Sequence, residues 1–445
     1  MNERRFTNEK IRKAIIVMVI LIISMTQTTD TFALSKEDMT IDSKILYMVE
    51  LNSNTIMYDV DSEKRIYPAS ITKLITAMLI IENLDLNEQI TVTGLNVPSD
   101  ESTMKLQEGE VLTVEQMLWG ILVFSANDAC YVLADKIAGS AEGFAVLMNE
   151  KAKEIGVTDT NFVTSSGIHA DNHYSTAKDL ALIMEAAMEY DLIKKIMSTP
   201  EYTIPATNKF KAREMKNSNA LLSGYKDLHV TIDGKNVPAK VKYPVMGKTG
   251  YETTVGYNLL NVAENNGMRI LTVTIGADDK FGRFEDTLDL LGYAFDNYET
   301  IIFVEKGEKL GRIPVEMGST LKVPVVTENG LYITKDKKFT EEEITYELKS
   351  YKKWKAPIKE GQELGVVESY VDGKLTGTLP FYAARDEKVG GPWTKKGITD
   401  GTFILICVMV GLIVIFGILV AIRRRNLKRN REIRRMRRER IESER

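Results

Sequence analysis

One serine and one lysine stand close enough in the sequence to act together in nucleophilic chemistry. In Ser70-Ile71-Thr72-Lys73 they are three residues apart, at the start of an apolar pattern with helical spacing that runs from Thr72 to Asn83. That spacing places both side chains on one face of a helix, about one turn apart. A serine hydroxyl becomes a nucleophile when a base accepts its proton, and a lysine can be that base if burial or a neighbouring cation lowers its pKa. The pair therefore predicts a nucleophilic serine at position 70.

Two further motifs support this hypothesis, because a Ser-x-x-Lys spacing alone is weak and the chain contains six of them. Ser125-Ala126-Asn127 is the one Ser-x-Asn sequence of the chain, and it lies between two apolar helical runs. Lys248-Thr249-Gly250 is the one Lys-Thr-Gly sequence, and it opens an apolar strand region. The order of the three motifs along the chain indicates one site assembled from distant segments.

The histidines of the chain argue against a serine hydrolase with a histidine base and against a zinc peptidase. His169, His173 and His229 are the only ones, and no serine lies in the Gly-x-Ser-x-Gly context of a nucleophile elbow. His169 and His173 have i,i+4 spacing but lack the glutamate of a zinc-peptidase helix. We interpret these two residues as solvent-facing loop histidines, and we expect no metal and no cofactor.

The elements that must position the motifs form an α+β pattern. Residues 44–60 alternate as a β-hairpin, helical patterns dominate 114–197, strand patterns return at 257–275, and an amphipathic helix follows at 284–295. Strands at both ends that enclose a helical middle predict one unit whose ends meet in a common sheet. From about residue 300 to 389, short apolar runs separated by glycine-rich turns predict a small all-β domain.

The two ends of the chain are typical of a membrane-targeted protein. Residues 1–33 combine basic residues, an apolar run from Ala14 to Ile23 and a small-residue cleavage triplet, which indicates a signal peptide. Residues 391–400 form a linker, and 401–422 are uncharged and long enough to span a bilayer. The tail at 423–445 is basic, which favours a cytoplasmic position for it and an extracytoplasmic position for the body.

The net charge of −4 is an average over unlike parts. The last 23 residues carry a net charge of +8 and residues 1–33 a net charge of +2, so the stretch between them carries −14. A nucleic-acid-binding protein would instead have its basic residues along a folded face. We therefore expect no nucleic-acid partner.

The three ordered motifs resemble those of the low-molecular-mass penicillin-binding proteins that act as D-alanyl-D-alanine carboxypeptidases. The similarity includes Pro68-Ala69, Asn127-Asp128-Ala129, the run from Tyr174 to Asp179, and Tyr257-Asn258-Leu259. It implies an α+β fold of the penicillin-binding/β-lactamase-like type at 34–298. It also implies the family's C-terminal β domain at 299–390, followed here by one transmembrane helix.

The resemblance also implies roles for particular residues. Ser70, Lys73 and Ser125 are the expected catalytic residues: an acyl-enzyme nucleophile, its general base and a proton shuttle to the leaving amine. The expected substrate-binding residues are Asn127, Lys248, Thr249, Gly250, Tyr251 and Arg283. Arg283 is the candidate cation for a substrate carboxylate, since Lys280-Phe281-Gly282-Arg283 resembles a Lys-Gly-Arg stretch of the family. The expected partners are peptidoglycan stem peptides ending in D-Ala-D-Ala, β-lactams as inhibitors, and the membrane.

Several residues depart from the family pattern and leave alternatives open. Glu252 stands where the family usually has threonine, Ser166 stands where histidine is frequent, and His229–Val237 is expected to form an extra hairpin near Lys248. A β-lactamase is one alternative, although no convincing Glu-x-x-Leu-Asn loop lies between Ser125 and Lys248. A non-catalytic cell-wall-binding relative is another.

Overall fold

The computed structural model describes residues 39–443 except 96–101, 224–228, 233–234, 239–240 and 242. The predicted signal peptide at 1–33 lies outside the described residues. The chain divides into two compact units. The first contains the residues up to Val49 and Met57–Tyr298, and the second contains Glu50–Ile56 and the chain from Glu299 onward.

The first unit is built around a five-stranded sheet. The strands of the unit, including those outside this sheet, are in chain order β1 (Ile45–Glu50), β2 (Thr55–Val60), β3 (Gln89–Thr91), β4 (Val111–Thr113), β5 (Glu201–Ile204), β6 (Arg213–Lys216), β7 (His229–Ile232), β8 (Lys235–Pro238), β9 (Val245–Glu252), β10 (Gly256–Asn265) and β11 (Met268–Ala277). The central sheet has the order β2-β1-β11-β10-β9, so strands from both ends of the unit meet in it, as the sequence predicts. The pairs β3–β4, β5–β6 and β7–β8 form separate two-stranded sheets.

The helices of the first unit lie mainly between β2 and β9 in the sequence. They are α1 (Lys73–Asn83), α2 (Val114–Trp119), α3 (Asn127–Ala138), α4 (Ala141–Ile155), α5 (Ala177–Ala187), α6 (Asp191–Met197), α7 (Ala220–Ser223) and α8 (Gly282–Asn297). All residues of α1 from Lys73 to Ile80 are buried, so this helix is the central member of the helical part. A helix that is apolar on every side is stable only when it is enclosed by other elements.

The second unit contains an all-β portion with its own core. Its strands are β12 (Tyr298–Val304), β13 (Gly311–Glu316), β14 (Lys322–Val326), β15 (Leu331–Asp336), β16 (Ile344–Ser350), β17 (Trp354–Lys355), β18 (Glu363–Val371) and β19 (Lys374–Ala383). Six of them form a sheet in the order β16-β18-β19-β14-β13-β17, and β12 pairs with β15. Buried side chains such as Val323, Leu364 and Phe381 form the core. The predicted small β domain is therefore present.

The chain continues into a single long helix, α9 (Asp400–Ser443). The predicted span at 401–422 lies within it, and most of the apolar side chains of that stretch are exposed. Among the described residues, α9 is the one helix long and apolar enough to cross a membrane.

A core substitution tests the packing of the helical part. Phe144 in α4 is fully buried, whereas Val146, two residues further along the same helix, is 57% exposed. We expect Phe144→Ala to lower the free energy of unfolding by about 3–5 kcal/mol, because it removes buried apolar surface and leaves a cavity. Val146→Ala should change it by no more than about 0.5 kcal/mol. Urea unfolding followed by tryptophan fluorescence measures both, and equal effects would contradict the packing described.

Candidate active site

The predicted nucleophile lies in a tight turn at the start of the buried helix. Ser70 is in a 3₁₀ turn, Ala69–Thr72, that leads directly into α1. The Nζ atom of Lys73 donates hydrogen bonds to Ser70 Oγ at 2.9 Å and to the carbonyl oxygen of Ser166 at 2.6 Å. Lys73 is fully buried. The structure therefore brings the lysine into contact with the serine hydroxyl, and the role of Lys73 as the base stays a prediction.

The second motif lies where a π-helical turn ends. The turn Gly120–Phe124 stops at Ser125, whose backbone is left-handed with a φ of 67°. π-helical turns are often associated with functional sites, and a non-glycine residue in this region carries backbone strain. Lys248 Nζ donates a hydrogen bond to Ser125 Oγ at 2.9 Å. The second and third motifs therefore meet at these two atoms, and Asn127 begins α3 two residues beyond Ser125.

The charge state of Lys248 is controlled by its surroundings. Its side chain is fully buried, and Nζ also donates to the carbonyl oxygen of Thr249 at 3.0 Å. Burial lowers the pKa of Lys248 well below its usual value, and Lys73, when it is protonated, and Arg283 lower it further. In the described part of the chain no carboxylate lies within 4 Å of this ammonium group. A ligand carboxylate near Lys248 would favour the protonated form by direct attraction.

Strand β9 forms one wall of the site and is an edge strand of the central sheet. Thr249 Oγ1 donates a hydrogen bond to Ser218 Oγ at 2.7 Å. A Cβ atom built on Gly250 would lie 3.3 Å from the carbonyl oxygen of Pro68, so this wall closely approaches the segment before the nucleophile. Tyr251 is 52% exposed beside these residues.

Arg283 lies against the same strand. Its Nη1 atom donates to the carbonyl oxygen of Gly250 at 3.0 Å, and its guanidinium group lies 4.8 Å from the ring centre of Phe284. The structure thus brings Arg283 to the expected site residues. Ser70 is hydrogen-bonded to Lys73, and Ser125 is hydrogen-bonded to Lys248. Thr249 and Gly250 follow Lys248 along β9, and Gly250 is hydrogen-bonded to Arg283.

Several residues that support this site are given no role in it by the sequence analysis. Ser166 supplies the carbonyl acceptor for Lys73, and its hydroxyl lies 3.0 Å from the Tyr131 hydroxyl. Ser218 binds Thr249, and neither serine belongs to a local motif. Gly167 has a φ of 80°, and a Cβ there would lie 1.9 Å from the carbonyl oxygen of Ala69. A glycine in a loop was the one available signal, and it does not specify which carbonyl the glycine approaches.

The interpretation of both loop histidines as solvent-facing is wrong for His173. This side chain is 1% exposed, and its Nδ1 atom accepts hydrogen bonds from the backbone N–H groups of Val163 and Thr164. The other ring nitrogen therefore carries the proton and donates to Thr72 Oγ1 at 3.0 Å. His173 thus fixes the residue next to Lys73. His169 remains partly exposed, as expected.

Glu252 at the end of β9 and the hairpin before β9 are two of the departures from the family pattern, and the structure describes both. Glu252 is 9% exposed and accepts hydrogen bonds from the Thr254 hydroxyl, the Thr254 N–H at 2.7 Å and the Val255 N–H. Burial acts to raise the pKa of Glu252, but these donors and His169 outweigh it and lower the pKa below its usual value. The carboxylate therefore closes the turn between β9 and β10. The extra hairpin is present as β7 and β8, which pair in antiparallel register.

The fold and the site together define the class of serine-type penicillin-binding proteins. Residues 30–279 match the profile of the D-alanyl-D-alanine carboxypeptidase family, and residues 298–389 match the penicillin-binding protein 5 C-terminal domain. The chain therefore belongs to the D-alanyl-D-alanine carboxypeptidase family, whose members are serine-type hydrolases. This confirms the family and the fold class that the motifs predict.

Individual relatives agree with this assignment along most of the chain. The D-alanyl-D-alanine carboxypeptidase DacF of Bacillus subtilis is 30% identical over 368 residues, covering 81% of this chain and 90% of the relative. DacA of Escherichia coli K12 is 28% identical, covering 80% and 86%. The structure of penicillin-binding protein 5 from Haemophilus influenzae is similar with a TM-score of 0.63 and 27% identity, covering 79% of this chain and 98% of that one.

Gly167 offers a test of the loop that binds Lys73. We expect Gly167→Ala to lower D-Ala release from a D-Ala-D-Ala peptide by at least about 100-fold, because the added Cβ pushes the loop away from Ala69 and moves the Ser166 carbonyl. Gly156→Ala is the matched control, since Gly156 also has a positive φ, of 95°, but nothing lies within 4 Å of its added Cβ. If both variants lose activity equally, backbone strain alone accounts for the effect and the close approach is unimportant.

His173 predicts a dependence of stability on pH. Burial, with a smaller effect of His169, lowers the pKa of His173 from 6.5 to about 4. The unfolded chain therefore binds the proton between about pH 6.5 and 4 while the folded chain does not, so stability falls as the pH is lowered through this window. The loss amounts to about 3 kcal/mol at ~1.4 kcal/mol per pH unit.

Two variants separate the loss of stability caused by His173 from the loss caused by other titrating groups. We expect His173→Gln to remove about 3 kcal/mol of the difference in unfolding free energy between pH 6.5 and 4, whereas His169→Gln should retain most of it. Urea unfolding at the two pH values measures both. An unchanged acid sensitivity in His173→Gln would show that this histidine is not the group responsible.

Proposed function

We propose that the chain removes the terminal D-Ala from peptidoglycan stem pentapeptides through an acyl-enzyme on Ser70, and that β-lactams acylate the same serine. The observation that carries this proposal is the hydrogen bond of 2.9 Å between Lys73 Nζ and Ser70 Oγ inside a buried site. A second serine bonded to a second buried lysine lies in the same site. Two serine–lysine pairs provide a base for the attack and a proton path for the leaving amine.

In the acylation step, Ser70 Oγ attacks the carbonyl carbon of the penultimate D-Ala and neutral Lys73 takes the hydroxyl proton. The C–N bond then breaks, and the proton that Lys73 took from Ser70 passes through the hydroxyl of Ser125, to which Lys248 is hydrogen-bonded, to the leaving amine of the terminal D-Ala, so that Lys73 is neutral again. In the second step, water attacks the ester and releases the shortened peptide with Ser70 restored. The backbone N–H groups of Ser70 and Tyr251 are the proposed oxyanion hole, with each donor contributing about 3–4 kcal/mol.

Recognition of the substrate carboxylate rests on local positive charge. Arg283 donates to the carbonyl oxygen of Gly250, and a substrate carboxylate at Thr249 would favour the protonated form of the buried Lys248. Two cations would then face that carboxylate, within a body that carries net negative charge. Thr249 would donate to the terminal carboxylate, and Asn127 would hold the substrate amide. Gly250 and Tyr251 would present the backbone of β9 to the peptide, since an edge strand has free hydrogen-bonding groups on one side.

The proposed location is the outer face of the cell membrane. The apolar part of α9 at 401–422 would span the bilayer once, and the basic tail at 423–445 would remain in the cytoplasm. The segment at 1–33 would act as the signal peptide. The proposed domain limits are 34–298 for the catalytic domain, 299–390 for the β domain and 391–400 for the linker.

Covalent labelling tests the nucleophile. We expect the full-length protein in detergent to be labelled by a fluorescent penicillin and to release D-Ala from a pentapeptide, and Ser70→Ala to abolish both. Ser350→Ala is the matched control, because Ser350 is exposed and also belongs to a Ser-x-x-Lys sequence. Lys73→Met should slow acylation by about 10²–10⁴-fold, since it removes the base. Labelling of Ser70→Ala at the wild-type level would overturn the assignment.

The lifetime of the acyl-enzyme separates the alternatives. Hours are expected for the penicillin adduct of a carboxypeptidase, whereas turnover within milliseconds would identify a β-lactamase. Acylation by penicillin without release of D-Ala from any D-Ala-D-Ala peptide would identify a non-catalytic cell-wall-binding relative.

A further inference from the structure

A cavity of about 470 Å³ lies at the end of the sheet next to the proposed catalytic cleft. One part of its lining comes from the segment before the nucleophile, including Ile66 and Tyr67, and another comes from the turn after β9, Thr254 and Val255. Tyr67 is three residues before Ser70, and Thr254 is three residues after Tyr251. Three residues extend by at most about 10 Å, so the lining begins within that distance of both the nucleophile and the proposed oxyanion strand.

Side-chain contacts join these two parts of the lining. The rings of Tyr67 and His169 lie 4.4 Å apart between centres, and His169 Nδ1 lies 3.4 Å from Glu252 Oε1. Glu252 in turn accepts the hydrogen bonds that fix Thr254 and Val255. Contacts through His169 and Glu252 therefore connect the turn after β9 to the segment before Ser70.

The charge of the cavity is unusual for this acidic body. Its lining contains three cationic side chains, Lys44, Lys64 and Arg65, and among the described residues that line it there is no carboxylate. Arg65 is held by Asp159 and Lys44 lies 2.9 Å from Asp278, and neither carboxylate lines the cavity. Within the described part of the chain, no carboxylate lies within 4 Å of the Lys64 ammonium group. Lys64 is thus the one of the three without an ion pair among the described residues, although Asp59, Asp61 and Glu63 line a neighbouring depression together with it.

The direction of β9 determines which part of a substrate would reach this cavity. With the terminal carboxylate at Thr249 and the scissile carbonyl at Tyr251, a peptide lying antiparallel to β9 has its earlier residues beyond Glu252, towards Thr254. At about 3.3 Å per residue, residues two or three positions before the scissile carbonyl lie about 7–10 Å along this path. That range stays within the limit of about 10 Å that three residues set between Tyr251 and the lining at Thr254.

We propose that this cavity is a subsite for a carboxylate carried by the donor peptide two or three residues before the scissile carbonyl, with Lys64 and Lys44 as its cations. The inference rests on the function proposed above, and it adds a specificity determinant outside the three motifs. An exposed ammonium group attracts a carboxylate with modest strength that falls with ionic strength, so the subsite tunes the choice of substrate rather than the chemical step.

The test compares two pentapeptides that end in D-Ala-D-Ala and differ in one group. One carries a γ-linked D-glutamate with a free α-carboxylate, and the other carries the corresponding neutral amide. For the full-length protein in detergent, we expect kcat/KM to favour the acidic peptide. Lys64→Gln and Lys44→Gln should each lower the acidic-to-amide ratio by about two- to fivefold, and added salt should lower it as well.

Lys178→Gln is the matched control. Lys178 is exposed and paired with Glu63 at 2.9 Å, as Lys44 is with Asp278, but it does not line the cavity, so the ratio should be unchanged. A wild-type ratio near one, or a ratio that neither cavity variant lowers, overturns the subsite alone. Failure of the wild type to release D-Ala from either peptide overturns the proposed function and the subsite with it.

Discussion

Two lysine side chains buried in one site impose the constraint on which the rest of the catalytic unit depends. Lys73 and Lys248 are both fully buried, and the charge of Lys73 helps to lower the pKa of Lys248. A buried amine is tolerated only if its hydrogen-bonding capacity is satisfied. Each lysine donates to one serine hydroxyl and one backbone carbonyl, so two loops and one strand must be held in place for both.

The fold meets this constraint by accepting backbone strain next to each serine. Ala69 and Ser125 are both left-handed, with φ values of 52° and 67°, and Gly167 packs against Ala69 where no side chain fits. Strain of this kind persists only where surrounding packing determines the conformation. The fully enclosed helix α1 on one side and β9 on the other provide that packing. The close packing around the two serines thus accompanies the burial of the two lysines.

The sequence was sufficient to predict the parts of the site that depend on side-chain identity. Ser70, Lys73, Ser125 and Lys248 stand in recognisable spacings, and the common sheet follows from alternating strands at both ends of the unit. The Ser166 carbonyl could not be predicted, since every residue carries a carbonyl and only the fold selects one. His173 was misinterpreted because its burial depends on long-range packing against Thr72, which no local pattern records.

Glu252 shows how a buried carboxylate is accommodated directly after the residues of β9 that are proposed to bind the substrate carboxylate. Its carboxylate accepts three hydrogen bonds from Thr254 and Val255 and lies 3.4 Å from the His169 ring nitrogen. These donors stabilise the negative charge at the turn. The negative charge therefore serves to order the end of β9.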